Sequence, residues 1–155
     1  MHEDGRSELA PQHVAELAVR ALYERDAASR ALGIQILEVR PGFIKASMVV
    51  RADMVNGHDI CHGGMLFTFA DSAFAFCCNS FNTVTVAAGA AIDFLAPASK
   101  DEPLIATATM IWQSRRTGLC DVIVSNPRGE NIALFRGRSV QRQGQVVPEG
   151  TDCVA

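Results

Sequence analysis

An apolar run interrupted by one carboxylate is the feature that most constrains how this chain can fold. Residues 65–80 read MLFTFADSAFAFCCNS and are apolar on nearly every face of a helix. A helix of that kind is buried on most of its sides. The chain must therefore supply a second layer of structure that wraps around this segment.

The remainder of the sequence supplies that layer as strands. Residues 34–39 and 43–50 flank the Pro41-Gly42 turn, which predicts a hairpin before the helix. After the helix, alternating β-rich segments separated by turn residues cover 83–95, 104–113, 119–125 and 132–141. We therefore predict an α+β fold in which a long central helix is wrapped by a curved, five- to six-stranded antiparallel sheet.

The two ends of the chain are assigned by their periodicity. With 155 residues the chain fits a single domain. Residues 1–32 are predicted to be a flexible leader and an N-terminal helix of the same unit, since apolar residues follow helical spacing there. Residues 33–142 form the main domain. Residues 143–155 lack periodicity and are predicted to be a flexible C-terminal tail.

Composition narrows the possible partners. A formal net charge of −3 shows no basic excess, so no nucleic-acid partner is predicted. The N-terminus lacks the apolar stretch of a signal peptide, and polar residues interrupt the most apolar region. The five cysteines are odd in number and follow no disulfide framework, which indicates reduced thiols. We predict a cytoplasmic protein that does not enter a membrane.

Asp71 is the only charged residue between His62 and Asp93. Burying a charge is costly unless it is paired, hydrogen-bonded or protonated. Either the helix exposes one narrow stripe at Asp71, or the carboxylate is held for chemistry. A lone Asp on a helix more often has a structural role, so the choice depends on its neighbours.

Gly63 and Gly64 stand where the central helix is predicted to begin. A helix N-terminus presents free N–H groups and the positive end of the helix dipole. Without side chains in the way, a substrate carbonyl can approach those N–H groups as in an oxyanion hole. Asp71 lies eight residues beyond Gly63. With a helical rise of about 1.5 Å per residue, the two residues are separated by roughly 12 Å along the helix axis. One chain cannot place both groups on one carbonyl, so we predict a site shared across a two-fold dimer.

The loop before the helix permits two other interpretations. His58 and His62 have the spacing of a zinc-binding helix, but that spacing brings them together only in a helix. Asn56-Gly57 and Gly63-Gly64 flank the segment and disfavour a helix, so no metal site is predicted. Cys61 beside His62 suggests a thiol nucleophile, although adjacent residues seldom form such a pair. A buried, unreactive Cys61 is the preferred interpretation.

A set of short motifs resembles the PaaI-type acyl-CoA thioesterases of phenylacetate degradation, which belong to the hotdog-fold superfamily. The motifs are Asn56-Gly57-His58, His62-Gly63-Gly64, Asp71, Ile92-Asp93-Phe94-Leu95-x-Pro97, Arg116-Thr117-Gly118 and Ala133-Leu134-Phe135-Arg136-Gly137-Arg138-Ser139. The resemblance covers roughly residues 33–141. It implies the hotdog fold, homodimers that often pair further into tetramers, and hydrolysis of an aromatic acyl-CoA such as phenylacetyl-CoA or a ring-hydroxylated relative. It implies no metal or redox cofactor.

The resemblance also implies roles for single residues. Gly63 matches the glycine whose N–H polarises the thioester carbonyl, and Asp71 matches the catalytic carboxylate of the facing subunit. Asn56 matches a residue that orients water or the leaving group, and His62 matches a positioning histidine. Some relatives hold the water with a serine or threonine early in the following strand, where this chain offers Thr85.

Four arginines are candidates for binding the phosphates of CoA because the guanidinium presents a fixed fork of donors. They are Arg115, Arg116, Arg136 and Arg138, and simple surface solvation is the alternative for each. Gly64 is predicted to contact the substrate together with Gly63.

Two other functions stay open from the sequence. A hotdog hydratase or dehydratase shares the fold but moves a proton beside the carbonyl. A non-catalytic acyl-CoA-binding protein would bind the ester without releasing thiol.

Overall fold

The computed structural model describes residues 9–148, which form three α-helices and six strands. The helices are α1 (Pro11–Arg25), α2 (Ala27–Ala31) and α3 (Gly63–Asn79). The strands are β1 (Gln35–Arg40), β2 (Phe43–Val49), β3 (Thr83–Phe94), β4 (Pro103–Gln113), β5 (Thr117–Ser125) and β6 (Asn131–Gln145). All six pair antiparallel in one sheet, in the order β1-β2-β4-β5-β6-β3. The predicted α+β fold, with the long helix wrapped by the sheet, is confirmed.

Helix α3 forms the centre of the hydrophobic core. Phe69, Phe74 and Phe76 are almost completely buried, and burying a side chain of this size contributes about 1.5–3 kcal/mol. Phe74 packs directly on Gly137 of β6, where an added Cβ would lie only 2.5 Å from the ring. The sheet therefore approaches the helix closely because β6 has no side chain at that point.

The two N-terminal helices pack at one edge of the domain. The Gln12 side chain donates a hydrogen bond to the Val39 carbonyl of β1, and the Tyr23 hydroxyl donates to the Ile34 carbonyl, each at 2.7 Å. The sequence predicts one continuous helix, but the structure breaks it at Asp26. The Asp26 side chain caps α2 by accepting the Ser29 N–H at 2.9 Å.

The end of the chain also differs from prediction. Strand β6 continues to Gln145, three residues beyond the predicted domain boundary, because it pairs with the start of β3 at Thr83. Val146 is buried, and Asn82 exchanges hydrogen bonds with Val147 through both polar atoms of its side chain. The sequence predicts a flexible tail from residue 143, whereas in the structure β6 extends to Gln145 and residues 146–147 contact the domain. Residues 149–155 lie outside the described residues, as do residues 1–8.

Within residues 9–148, no helix is long and apolar enough to cross a membrane.

Candidate functional site

The site begins at the N-terminus of α3, where Gly63 is the first helical residue. His62 is the N-cap, and its carbonyl accepts the N–H groups of Met65 and Leu66 at 2.9 and 3.2 Å. Its side chain accepts the Gly64 N–H through Nδ1 at 2.9 Å. The remaining N–H group of the first turn belongs to Gly63, and it has no acceptor among residues 9–148. The helix therefore leaves one N–H available to a ligand.

This arrangement defines the roles of His62 and Gly64. Because Nδ1 accepts a hydrogen bond, the neutral ring carries its proton on Nε2. His62 therefore holds the first turn of α3 through its side chain and its carbonyl. The Gly64 N–H is already bound within the chain, so the predicted contact of Gly64 with substrate cannot use that donor.

Phe94, at the end of β3, lies against Gly63. A Cβ added to Gly63 would come within 2.9 Å of the ring, and Phe94 as a whole is 54% exposed. An exposed aromatic face beside the free N–H can contact an apolar part of a ligand. In the sequence, Phe94 stands out only as part of the motif Ile92-Asp93-Phe94-Leu95-x-Pro97. Its proximity to Gly63 depends on how β3 returns along α3, which no local pattern reveals.

Asn56 lies in the loop that leads to the helix. Its Oδ1 accepts the backbone N–H groups of His58 and Ile60, at 2.9 and 3.4 Å. The backbone N–H of Asn56 donates to the Ile60 carbonyl at 2.9 Å, which closes the turn. With Oδ1 engaged, Nδ2 is the side-chain group that Asn56 can offer to water or a leaving group.

Asp71 lies in the middle of α3 and is half-buried. It falls on a narrow, less buried stripe of the helix with Gly64, Thr68 and Ala75. Burial raises the pKa of the Asp71 carboxyl above its ordinary value, and the negative charge of Asp26 raises it further. Asp71 therefore lies on a partly exposed stripe of α3 and also has a raised pKa. The two interpretations of Asp71 from the sequence, an exposed stripe and a carboxylate held for chemistry, do not exclude each other.

A cavity of about 530 Å³ opens beside Asp71. Its walls come from α3, from the start of β3, and from the junction of α1 and α2; the apolar part consists of Leu22, Phe74, Ala75, Val84, Val86, Ala87 and Val146. Thr85 lines the same cavity, and its hydroxyl donates to the Thr83 carbonyl at 2.8 Å. Its oxygen lone pairs can still accept a hydrogen bond from water. The cavity is of a size typical of small-molecule sites.

Gly63 and Asp71 are separated by two turns of one unbroken helix. The helical rise places their backbones about 12 Å apart, as the sequence predicts. Within one chain, the free N–H and the carboxylate therefore cannot meet at one carbonyl.

The four predicted arginines occupy two different places. Arg115 and Arg116 are exposed in the turn between β4 and β5, next to Thr117, which pairs with Val140 of β6. Arg138 is exposed on β6, and one of its Nη atoms donates to the Ala88 carbonyl at 3.4 Å. Arg136 makes a two-pronged ion pair with Asp121 at 2.6 and 2.7 Å. Because that fork is already bound to a carboxylate, we do not assign Arg136 to a phosphate.

The two alternative interpretations of the loop find no support in the geometry. The segment between His58 and His62 consists of a turn followed by isolated β-bridges and is not helical. In the part of the chain that the structure describes, no group of three His, Cys, Asp or Glu side chains could hold a metal ion. Burial raises the pKa of the Cys61 thiol to about 11, which disfavours the reactive thiolate.

Comparison with known proteins agrees with this geometry. Residues 58–133 match the family described as "Thioesterase superfamily". The chain is 43% identical over 137 residues to the acyl-coenzyme A thioesterase PaaI of Escherichia coli, covering 88% of this chain and 98% of that protein. The structure of the E. coli PaaI protein superposes with a TM-score of 0.86.

Two further solved structures are similar. A mutant of the phenylacetic acid degradation protein PaaI from Thermus thermophilus is 34% identical, with a TM-score of 0.73, and the match covers 76% of this chain and all of that one. A protein from Streptococcus pneumoniae described as a hypothetical thioesterase, solved with coenzyme A, is 25% identical with a TM-score of 0.69 over 72% of this chain and 90% of that one.

The fold, the free N–H at the start of the central helix and these similarities define a hotdog thioesterase. The chain belongs to the thioesterase superfamily, and its similarity to PaaI-type members extends over most of its length. The family and enzyme class predicted from the sequence are confirmed.

Proposed function

We propose that this protein hydrolyses the thioester of an acyl-CoA to the free acid and CoA. The observation that carries the proposal is the Gly63 N–H, left without an acceptor among residues 9–148 at the positive end of α3. Such a donor stabilises the negative charge that develops on a thioester carbonyl under attack. The E. coli relative, 43% identical, is named as an acyl-coenzyme A thioesterase.

Asp71 supplies the other half of the reaction. As an ionised carboxylate it either takes a proton from the attacking water or attacks the carbonyl carbon itself. In the first route water adds to the carbonyl carbon, the carbon–sulfur bond breaks, and the leaving thiolate of CoA receives the proton that Asp71 took from the water. In the second route the leaving thiolate is protonated by water, and the acyl–Asp71 anhydride that remains is cleaved by a water that attacks the acyl carbon, which frees the acid and restores Asp71. Asn56 Nδ2 can orient the water or the leaving group, and Thr85 can hold a water from the cavity side. This chemistry needs no metal or redox cofactor.

We propose that the site forms between two copies of the chain. The 12 Å separation within one helix requires it, and two antiparallel α3 helices about a two-fold axis would bring Asp71 of one copy to Gly63 of the other.

Strand β3 offers the surface for this pairing. It is an edge strand, residues 86–91 are exposed, and its only charged residue is Asp93 near the end. The other edge strand, β1, carries Glu38 and Arg40 and is bonded to α1 through Gln12. A long uncharged edge strand exposes unpaired backbone N–H and C=O groups that can pair with other chains, and pairing with the β3 strand of a second copy would satisfy them.

The exposed apolar residues Trp112, Ile123 and Leu134 on the outer sheet region provide a surface for pairing dimers into a tetramer.

We propose that the acyl group is aromatic, phenylacetyl or a ring-hydroxylated relative. Apolar side chains dominate the walls of the cavity beside Asp71, including the ring of Phe74. Flat aromatic rings bind well in such surroundings. The T. thermophilus relative is described as a phenylacetic acid degradation protein.

The phosphates of CoA are assigned to Arg115, Arg116 and Arg138. All three are exposed, and none of them forms an ion pair with a carboxylate among the described residues. We also propose a cytoplasmic location, because the described cysteines Cys61, Cys77, Cys78 and Cys120 are free and buried.

The activity is tested by thiol release from a panel of acyl-CoAs that includes phenylacetyl, hydroxyphenylacetyl, benzoyl, hexanoyl and palmitoyl esters. We expect kcat/KM to be highest for the arylacetyl esters and the Asp71→Asn variant to lose at least about a hundredfold in kcat. Tight binding of these esters without thiol release would indicate a non-catalytic binding protein instead.

The shared site is tested by subunit complementation. Asp71→Asn and Gly63→Val are each expected to be inactive, and co-expression should restore activity because a mixed dimer contains one intact site. Purification through two different tags isolates the mixed species. If the mixed dimer is as inactive as its parents, the site lies within one chain.

A further inference from the structure

The junction between α1 and α2 faces the same cavity as Asp71. Leu22 and Arg25 of α1 and the junction residue Asp26 line this cavity together with Asp71. Asp26 is half-buried and lies between the two helices. The N-terminal helices therefore place a second carboxylate at the wall where the candidate catalytic carboxylate lies.

A chain of buried hydroxyl groups fixes Asp26 to the central helix. Asp26 accepts two hydrogen bonds from Ser29, from the backbone N–H at 2.9 Å and from the hydroxyl at 2.5 Å. The Ser29 oxygen also lies 2.8 Å from the hydroxyl oxygen of Ser72. Ser29 has only one hydroxyl proton, so Ser72 donates to Ser29 and Ser29 donates to Asp26. Ser72 is the residue next to Asp71.

Ser29 and Ser72 are both buried, Ser29 completely. A buried hydroxyl is costly unless it is hydrogen-bonded, and this chain satisfies both hydroxyl groups. Asp26 is therefore held in a defined position relative to the turn of α3 that carries Asp71.

The other charged and titratable groups around the cavity can be named element by element. From α1, Arg25 lines the cavity, but its guanidinium donates to the carbonyls of Ala21 and Val146, each at 3.1 Å. From α3, Cys78 lines the cavity, and its hydrogen bond with the Cys120 thiol, together with burial, raises its pKa, so it stays a neutral thiol. The lining residues from β3, 84–87, and those at 145 and 146 carry no charge. Among the residues that line the cavity, Asp26 is therefore the other carboxylate beside Asp71.

We propose that Asp26 is a positioning residue for Asp71: anchored by Ser29 and Ser72 on the wall of the same cavity, its negative charge makes ionised Asp71 a stronger proton acceptor. The proposal rests on the proposed function in one respect, since it assigns the effect to the carboxylate that takes part in thioester hydrolysis.

A negative charge near Asp71 would affect its strength as a base. A carboxylate is ordinarily a weak base near neutral pH, and its efficiency in removing a proton from water grows as its pKa rises toward the working pH. The pKa of Asp71 is raised by burial and by Asp26, in that order. The cost is that Asp71 becomes protonated, and inactive, at a higher pH than an ordinary carboxyl would.

Two variants remove the charge of Asp26 in different ways. Asp26→Asn keeps the shape of the side chain, and Asp26→Ser keeps a good N-cap for α2 in case the first variant folds poorly. Glu24→Gln is the matched control, because it removes one negative charge from an exposed residue close by in the sequence. The acidic limb of the pH profile of kcat/KM for phenylacetyl-CoA is measured for each, beside wild type.

We expect the acidic limb of both Asp26 variants to move to lower pH, while Glu24→Gln keeps the wild-type limb. At one pH unit below the wild-type midpoint, each Asp26 variant should retain at least about twice the fraction of its plateau that wild type retains. The plateau itself should fall by less than about tenfold, because the base is weaker but present. An unchanged acidic limb in both Asp26 variants would overturn the proposal, and so would an equal movement in Glu24→Gln.

A measurement independent of activity separates this proposal from the proposed function. The titration of the Asp71 side-chain carboxyl is followed by carbon-13 NMR in aspartate-labelled protein, with Asp71→Asn used to assign the signal. A downward movement of its midpoint in Asp26→Asn and Asp26→Ser supports the coupling even if the protein hydrolyses no acyl-CoA tested. An Asp71 midpoint that stays in place refutes the coupling even if the protein is an active thioesterase.

Discussion

The Nδ1 atom of His62 accepts the Gly64 N–H at 2.9 Å, directly beside the Gly63 N–H that has no acceptor in the described residues. The two adjacent glycines therefore have different roles. Gly64 completes the cap of α3, and Gly63 is the residue whose N–H we propose binds the substrate carbonyl. The predicted positioning role of His62 through this cap, as opposed to a role as a base, can therefore be tested.

Replacing His62 by alanine should remove the cap, while replacing it by asparagine should preserve it. His62→Ala is expected to lower the free energy of unfolding by about 1 kcal/mol and to reduce kcat/KM through a less ordered first turn. His62→Asn should retain most of the stability and activity, since Asn is a favoured N-cap. Urea unfolding and steady-state kinetics measure both. Equal, severe losses of kcat in the two variants would indicate acid–base chemistry at His62.

Gly63→Ala should damage the site with little effect on the fold. The new methyl group would lie 2.9 Å from the Phe94 ring, which must move from its place beside the N–H. We expect kcat/KM to fall about tenfold or more, because the carbonyl can no longer approach the donor as closely. Gly57→Ala is the control, since an added Cβ at Gly57 meets nothing within 4 Å. Comparable losses in the two variants would exclude a specific role for Gly63.

Asp71→Asn should be more stable than wild type at neutral pH although it is inactive. The pKa of Asp71 is raised above its ordinary value of 3.8, so the folded state disfavours the charged form. Ionised Asp71 therefore costs stability above the raised pKa, and this cost disappears as the pH falls through that pKa. The difference in Tm between variant and wild type should be positive at pH 7 and shrink toward pH 4. A variant less stable than wild type at pH 7 would contradict this account.

Asn79→Ala should destabilise the junction between α3 and β3. The buried Asn79 side chain donates to the carbonyls of Ala75 and Thr85 and accepts the Thr85 N–H, at 2.9, 2.8 and 2.9 Å. Its loss leaves both backbone groups of Thr85 without these partners, which we expect to lower the free energy of unfolding by about 1–3 kcal/mol. Asn131→Ala, at an exposed position, is the control and should change stability little. A smaller loss at Asn79 than at Asn131 would show that the junction is satisfied in another way.

Local patterns accounted for most of the architecture. The all-round apolar run of 65–80 required a wrapped helix, and alternating segments predicted every strand to within a few residues. Asp71 and the two glycines at the helix start could be singled out from the sequence alone. A charge inside an apolar run and a glycine at a helix end can each be recognised from the local sequence, without knowledge of the fold.

Contacts between distant residues were decided by the tertiary structure. The sequence alone determined that Gly63 and Asp71 lie on one helix about two turns apart, because helical rise is the same in every protein. It could not show that Phe94 covers Gly63, that Asp121 occupies the fork of Arg136, or that Ser29 and Ser72 hold Asp26 beside Asp71. Those contacts depend on which strands become neighbours and on where the first helix breaks, and both follow from the packing of the whole core rather than from any local period.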